Sequence, residues 1–234
     1  MICISMAGLR IGIDNQYPLE RLLAGWESQD PPDFTVRATE AELDREDRGR
    51  GLSRSYLESI CVYRRIAEEL PDWGAFVIHG AAVARQGRAY LFTAPSGTGK
   101  TTHIRQWLAR FPDAWVLNGD KPVLREGPEG FLVCGTPWRG KERLGCPGEL
   151  PLQGICLLGR GAENRIRPAG VQELVNFLMK QTYPPKVPRH MLRFLELLDR
   201  CCRSVPVWAM DCTISQEAAE LAWETMKPSY TELP

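Results

Sequence analysis

The sequence has no surplus of either charge: Lys plus Arg and Asp plus Glu each number 29. Without a net basic field nothing gathers nucleic acid or an anionic membrane, so neither is expected as a partner. No apolar run reaches the length that spans a bilayer. Residues 1–9 are short and carry no basic leader, which argues against a secretory signal and predicts a cytoplasmic protein. Repeats and low-complexity segments are absent too, which removes solenoids and linker arrays. Cysteine is not scarce, at eight, yet no C-x-x-C pair occurs, so zinc knuckles are not indicated. Most of the cysteines sit in apolar stretches such as Gly154-Ile-Cys-Leu-Leu158 and read as small buried hydrophobes. The adjacent Cys201 and Cys202 fall on a helical pattern.

What remains is an ordinary globular composition. With 234 residues, 44% of them hydrophobic, the chain is long enough for one large domain or a domain with an annex. The first seventy residues or so differ from the rest. Residues 9–13 and 33–38 alternate like strands around a short helical run at 18–24, and the charge run at 40–50 reads as a solvated loop or helix end. Residues 53–70 repeat apolar positions at helical spacing; Ser55 with Glu58 fits a capping box and Pro71 closes the helix. Strands follow at 75–78, 81–84 and 88–93. A helix is expected at about 100–110, strands at 114–117, 122–125, 130–134, 154–158 and 164–167, and a mostly helical final third. That third includes a strand at 205–210 and a last helix opened by Thr213 with Gln216. Interleaved strands and helices predict an α/β fold with both sheet faces covered. We divide it into an N-terminal α/β module over 1–72, for recognition or to complete a sheet edge, and a catalytic domain over 73–234.

The most specific motif is Thr93-Ala-Pro-Ser-Gly-Thr-Gly-Lys-Thr-Thr102. It matches the phosphate-binding pattern G-x-x-x-x-G-K-[ST] at Gly99, Lys100 and Thr101, with Ala94 at the first position. Glycines let successive N–H groups of Ser96, Gly97, Thr98 and Gly99 curl toward an anion. The helix that follows, through Thr102, aims its unpaired N–H groups and positive end at the same place. Lys100 bridges terminal phosphates, and Thr101 offers a hydroxyl to Mg²⁺. Ala94 is compatible if its φ is negative. The competing reading is a glycine-rich turn that caps a helix.

Three further features carry chemistry. Asp120 ends the strand Trp115-Val-Leu-Asn-Gly-Asp120, which as a parallel neighbour would lie beside the phosphates. There it would hold Mg²⁺ through water or take a proton from an attacking hydroxyl; Asn-Gly-Asp is also good turn chemistry. His79 sits between two short strands, where a satisfied structural histidine is the plainer reading. The segment Gly135-Thr-Pro-Trp-Arg-Gly-Lys-Glu-Arg143 offers Arg139 or Lys141 to a transferring phosphoryl group, against the alternative of a solvated basic loop.

His79-Gly80, the strand after it, Ser96-Gly-Thr-Gly-Lys-Thr-Thr102 and Asp120 follow in the order and spacing of the HPr kinase/phosphorylase catalytic domain. The chain resembles that family, and more closely the HPr-kinase-related proteins of bacterial gene clusters, over residues 77–134, and more loosely to Leu158. The resemblance implies a sheet and nucleotide site like those of HPr kinase and phosphoenolpyruvate carboxykinase. It implies ATP and Mg²⁺ as cofactors, Asp120 as the base that activates a serine hydroxyl, and His79 as the residue that tunes it. This sequence departs from the family pattern in three places. Gly119 stands where the family has a second Asp, the glycine- and asparagine-rich signature is missing between Gly140 and Gly161, and residues 1–70 do not match. The expectation is a kinase for a hydroxyl on a peptide or protein, with homo-oligomerisation left open. A small-molecule hydroxyl kinase and a silent nucleotide-sensing module are the alternatives.

Overall fold

A computed structural model describes residues 1–228, the side chain of Val171 excepted. Strands β1 (Ile2–Met6), β2 (Leu9–Ile13) and β3 (Phe34–Val36) form a small sheet of their own, with α1 (Glu20–Leu23) between the last two. Helices α2 (Glu40–Asp47) and α3 (Arg54–Glu69) follow, then a 3-10 turn at Leu70–Trp73. The larger sheet uses β4 (Ala75–Val77), β5 (Gly80–Arg85), β6 (Arg88–Thr93), β7 (Trp115–Asn118), β8 (Val123–Gly127), β9 (Gly130–Cys134), β10 (Glu149–Arg160), β11 (Arg165–Pro168) and β12 (Val207–Cys212). Helix α4 (Lys100–Arg110) connects β6 to β7. Helices α5 (Val171–Gln181) and α6 (Pro188–Ser204) lie between β11 and β12, and α7 (Gln216–Met226) comes last.

The larger sheet runs β4-β8-β9-β10-β6-β5-β7, with β12 on β10 and β11 on β12. Strand β10 makes it curl. Its first residues, Glu149 to Pro151, pair antiparallel with β9, and its later ones pair parallel with β6 and β12. The result is a mixed α/β fold around a curled mixed sheet. No helix among the described residues is long and apolar enough to cross a membrane.

Strand alternation sends successive side chains to opposite faces. Ala81, Val83, Tyr90, Phe92, Cys156 and Leu158 enter a core roofed by α4 and α7, where Trp107 and Trp223 pack. Ala82, Leu91, Ile155 and Leu157 enter the opposite core under α5 and α6, with Leu174, Leu178, Phe194 and Leu198. A third core fills the N-terminal region and does not stop near residue 72. It runs from Ile4 through Leu57 and Ile66 to Ala75, Val123, Cys134 and Trp138.

Several local expectations change. Residues 40–47 form a helix, not a loop, because Thr39 caps it: its hydroxyl accepts from the Glu42 N–H and the Glu42 carboxylate accepts from Thr39. Helix α3 is capped by Ser53, not Ser55, while Glu58 is fully buried and accepts the backbone N–H groups of Gln16 and Tyr17. Likewise Ser215 caps α7, and Thr213 instead donates to Asn164. Finally, β7 is not a neighbour of β6. Strand β5 lies between them, antiparallel to both, so β6 and β7 run the same way one strand apart.

Candidate active site

The glycine-rich loop, the candidate phosphate site, leaves the C-terminal end of β6 and enters α4 at Lys100. Gly97 (φ 81°) and Gly99 (φ 124°) take the left-handed backbone that the curl needs, and Ala94 is not among the positive-φ residues, so its methyl costs nothing. Lys100 is 8% exposed, and its Nζ donates to the Ala94 carbonyl at 2.8 Å and to the Pro95 carbonyl at 3.4 Å. The ammonium is thus parked on its own loop. Burial pushes its pKa down, the charge of Asp120 works against that, and Lys121 adds to the lowering. From the end of β10, Arg160 donates Nε to the Thr98 carbonyl at 3.0 Å and Nη2 to the Gly97 carbonyl at 2.5 Å. Engaging these two carbonyls braces the loop from outside, while the Thr98 N–H donates to the Pro95 carbonyl at 3.3 Å within it.

Asp120 stands on a turn that Asn118 builds. Buried Asn118 accepts the backbone N–H groups of Asp120 and Lys121 at 2.9 and 2.8 Å, and its Nδ2 donates to the carbonyl and hydroxyl of Thr136. Asn-Gly-Asp is therefore turn chemistry and a functional candidate at once: Asn118 makes the turn and Asp120 is what it displays. The Gly80 N–H donates to the Asp120 carbonyl at 2.9 Å, which binds the turn to the start of β5 and brings His79 alongside.

His79 Nε2 lies 3.4 Å from Asp120 Oδ1, and Lys121 Nζ lies 3.5 Å from Oδ2. Burial pushes the Asp120 carboxyl up, but the His79 hydrogen bond and the Lys121 charge outweigh it and hold the pKa below the usual value. On its other side His79 Nδ1 is 2.9 Å from Gln181 Oε1, a contact that holds the ring with Nε2 toward Asp120. The backbone of Gln181, at the end of α5, also accepts the His79 N–H at 2.6 Å, and the Thr93 hydroxyl donates to the His79 carbonyl.

The segment with Arg139 and Lys141 crosses this pair. A Cβ on Gly140 would lie 3.0 Å from Asp120 Cβ, so the backbone of the loop touches the carboxylate residue directly. A Cβ on Gly119 would lie 3.1 Å from the Leu144 carbonyl and 3.4 Å from that of Arg139, so this loop packs closely on the glycine. Arg139 braces its own loop through Nη1 to the Gly145 carbonyl at 3.2 Å, with Nε buried and unpaired. Lys141 is exposed and has no ion-pair partner among the described residues. Glu142 ties the loop to α4 through Arg105 at 2.7 Å.

The N-terminal region holds the loop from behind. Trp138 Nε1 donates to the Ser59 carbonyl of α3 at 3.0 Å, its ring packs on Tyr63 at 5.3 Å, and Lys121 Nζ lies 5.6 Å from the centre of the Tyr63 ring. Sequence reasoning missed Lys121, Gln181, Arg160, Asn118 and Tyr63. Gln181 is 102 positions from His79, and no local pattern marks it. Arg160 carried only a weak signal, a cation just past the strand expected at 154–158.

Thr101 is half-buried at the first turn of α4. Among the described residues no cluster of three or more His, Cys, Asp or Glu side chains could cage a metal ion. Mg²⁺ at a phosphate site keeps waters and needs only one or two protein oxygens, a donor set that Thr101 and Asp120 fit. A concavity of about 760 Å³ lies elsewhere, over β11 and β12, lined by Ile166, Arg167, Glu173, Phe177 and Met210. None of the candidate residues lines it, and its size alone gives it no chemistry. No protein-family model matches this chain, and no curated protein matches it either.

Proposed function

We propose that this protein is an ATP- and Mg²⁺-dependent kinase that phosphorylates a hydroxyl, Ser or Thr of a peptide or protein, on a scaffold of the HPr kinase type. The observation that carries the reading is convergence. An ionised carboxylate, Asp120, is held by His79 and Lys121, Thr93 at the root of the glycine-rich loop donates to the His79 carbonyl, and a cation-bearing loop packs against Asp120.

Phosphoryl transfer asks a protein mainly to position the reactants and to offset charge. The loop N–H groups and Lys100 hold the β- and γ-phosphates, for which Lys100 exchanges its two carbonyl partners. Mg²⁺, held by Thr101 and through a water by Asp120, would offset charge on the same phosphates. The acceptor oxygen bonds to the γ-phosphorus as the bond to the β-bridging oxygen breaks and ADP leaves. Asp120 takes the hydroxyl proton, and His79 Nε2 is placed to share it. Lys141, free of partners, is the better placed of the two loop cations to meet the transferring group; Arg139 shapes the loop.

The test is transfer from γ-labelled ATP to a panel of serine and threonine peptides and hydroxyl metabolites. Peptide labelling by wild type that Asp120→Asn lowers about a thousandfold supports the reading. Labelling of a metabolite in place of every peptide would move the assignment to a small-molecule kinase, and equal rates for the two proteins would remove Asp120 as the base.

A further inference from the structure

From the geometry beside Asp120 we infer a second binding element: a basic groove between α2, α3 and residues 183–187 that docks an acidic stretch of the peptide acceptor. The groove, about 440 Å³, is lined by Arg45, Arg48, Arg64, Arg65, Tyr183 and Lys186, together with Glu42, Glu46 and Glu68.

Its charges do not cancel. All three carboxylates are engaged: Glu46 by Arg64, Glu42 by Arg65 at 2.8 Å, and Glu68 by the backbone N–H groups of Lys186 and Val187 at 2.7 to 3.0 Å. Arg45, Arg48 and Lys186 are exposed and have no carboxylate partner among the described residues; Arg45 donates to the Ala41 carbonyl alone. The lining therefore carries five cations, Arg45, Arg48, Arg64, Arg65 and Lys186, against three carboxylates, a surplus of two, and Arg45, Arg48 and Lys186 face solvent.

Both walls lead to the catalytic pair. Tyr63, which meets Lys121 at 5.6 Å, precedes Arg64 in α3. Gln181, which meets His79 at 2.9 Å, lies two residues before Tyr183. Lys121 Nζ is 3.5 Å from the Asp120 carboxylate and 5.6 Å from the Tyr63 ring, and the next residue of α3, Arg64, lines the groove. An acceptor whose hydroxyl sits at Asp120 and whose chain leaves along this side would lay residues several positions away among the free cations. A run of Glu or Asp there matches the charge.

The inference rests on the kinase reading for what happens at the hydroxyl, but docking can be measured without transfer. Fluorescence anisotropy would compare labelled serine peptides carrying a Glu run, a Gln run or a Lys run on one side, against wild type and the double variant Arg48→Glu/Lys186→Glu. Thermal melting checks that the variant is folded. The expected result is that wild type binds the Glu peptide about tenfold tighter than the Gln peptide, that added salt erodes the difference, and that the double variant prefers the Lys peptide. Equal affinities in wild type, or a preference that the double variant leaves intact, overturns the groove. An RNA oligomer of similar charge that binds wild type as tightly as the Glu peptide would make the groove a general anion patch and overturn the peptide assignment. Docking without labelling in the transfer assay would leave the groove standing and sink the kinase.

Discussion

The two halves of the candidate site are built in different ways. The phosphate-loop half comes from one stretch of chain, β6, residues 94–99 and the first turn of α4, with Arg160 as its outside brace. The Asp120 half draws on five distant segments: the 118–121 turn, His79, Gln181 at the end of α5, the 135–145 loop, and α3 of the N-terminal region. A loop encoded in one stretch can bind a phosphate by local backbone geometry alone. A base assembled from five segments depends on the whole fold, and its substitutions should act through stability and turnover together. The comparison predicts that the halves can be separated.

The sharpest separation comes from paired variants. Lys100→Ala should abolish nucleotide binding, whereas Asp120→Asn should keep Mg-ATP affinity within a few-fold and lose about a thousandfold in transfer. Single-turnover kinetics would tell binding from chemistry. If Asp120→Asn also lost ATP binding, the carboxylate would be a direct metal ligand of the phosphate half and not the base.

The next effect is structural. Trp138→Ala empties a site that is 8% exposed, and should cost about 3 kcal/mol of stability. Trp138→Phe keeps most of the ring but leaves the Ser59 carbonyl without its donor, for about 1 kcal/mol. Denaturant melts give the cost, and kcat should fall while the Kd for Mg-ATP holds. An unchanged kcat in a folded Trp138→Phe protein would mean that α3 does not position the loop.

A smaller effect belongs to α4. His103 is buried, accepts the Trp107 indole N–H at 3.1 Å, and has its pKa pushed down to about 4 by burial. Between its ordinary pKa and that value the unfolded chain binds a proton that the folded one refuses. Stability is therefore full above the ordinary value and falls as the pH drops toward the lowered one, by about 2 kcal/mol between about pH 7 and pH 5. Melting curves for wild type and His103→Asn would show whether this slope disappears with the imidazole.

Arg160→Ala should weaken nucleotide binding about tenfold by freeing the Gly97 and Thr98 carbonyls, with transfer from saturating ATP little changed. The subtlest change is His79→Ala. With the His79 hydrogen bond gone, the Asp120 pKa rises, and the acid limb of the pH–rate profile moves to higher pH. A limb that stays in place would uncouple His79 from the base.

The same division explains what the sequence could show. The phosphate loop, β6 and α4 were legible because strand, glycines and helix start are consecutive residues. His79 and Asp120 were legible as candidates, but only the fold puts 3.4 Å between them. The expected parallel adjacency of β6 and β7 failed because β5 is inserted antiparallel between them. Ser55 and Glu58 have the spacing of a capping box, yet tertiary contacts draft Glu58 to Gln16 and Tyr17. The charge run after Thr39 looked solvated, although Glu42 and Glu46 pair with Arg65 and Arg64 on α3 and help fasten α2 there. Gln181 and Tyr63 carried no local mark, since their partners are brought to them from elsewhere in the chain.

The most direct measurement is calorimetric titration of Mg-ATP into wild type, Lys100→Ala and Asp120→Asn. The account predicts micromolar binding, roughly −8 kcal/mol, by wild type and Asp120→Asn, and none by Lys100→Ala. No binding by wild type would make residues 94–102 a glycine-rich helix cap, and the kinase assignment would fall with it.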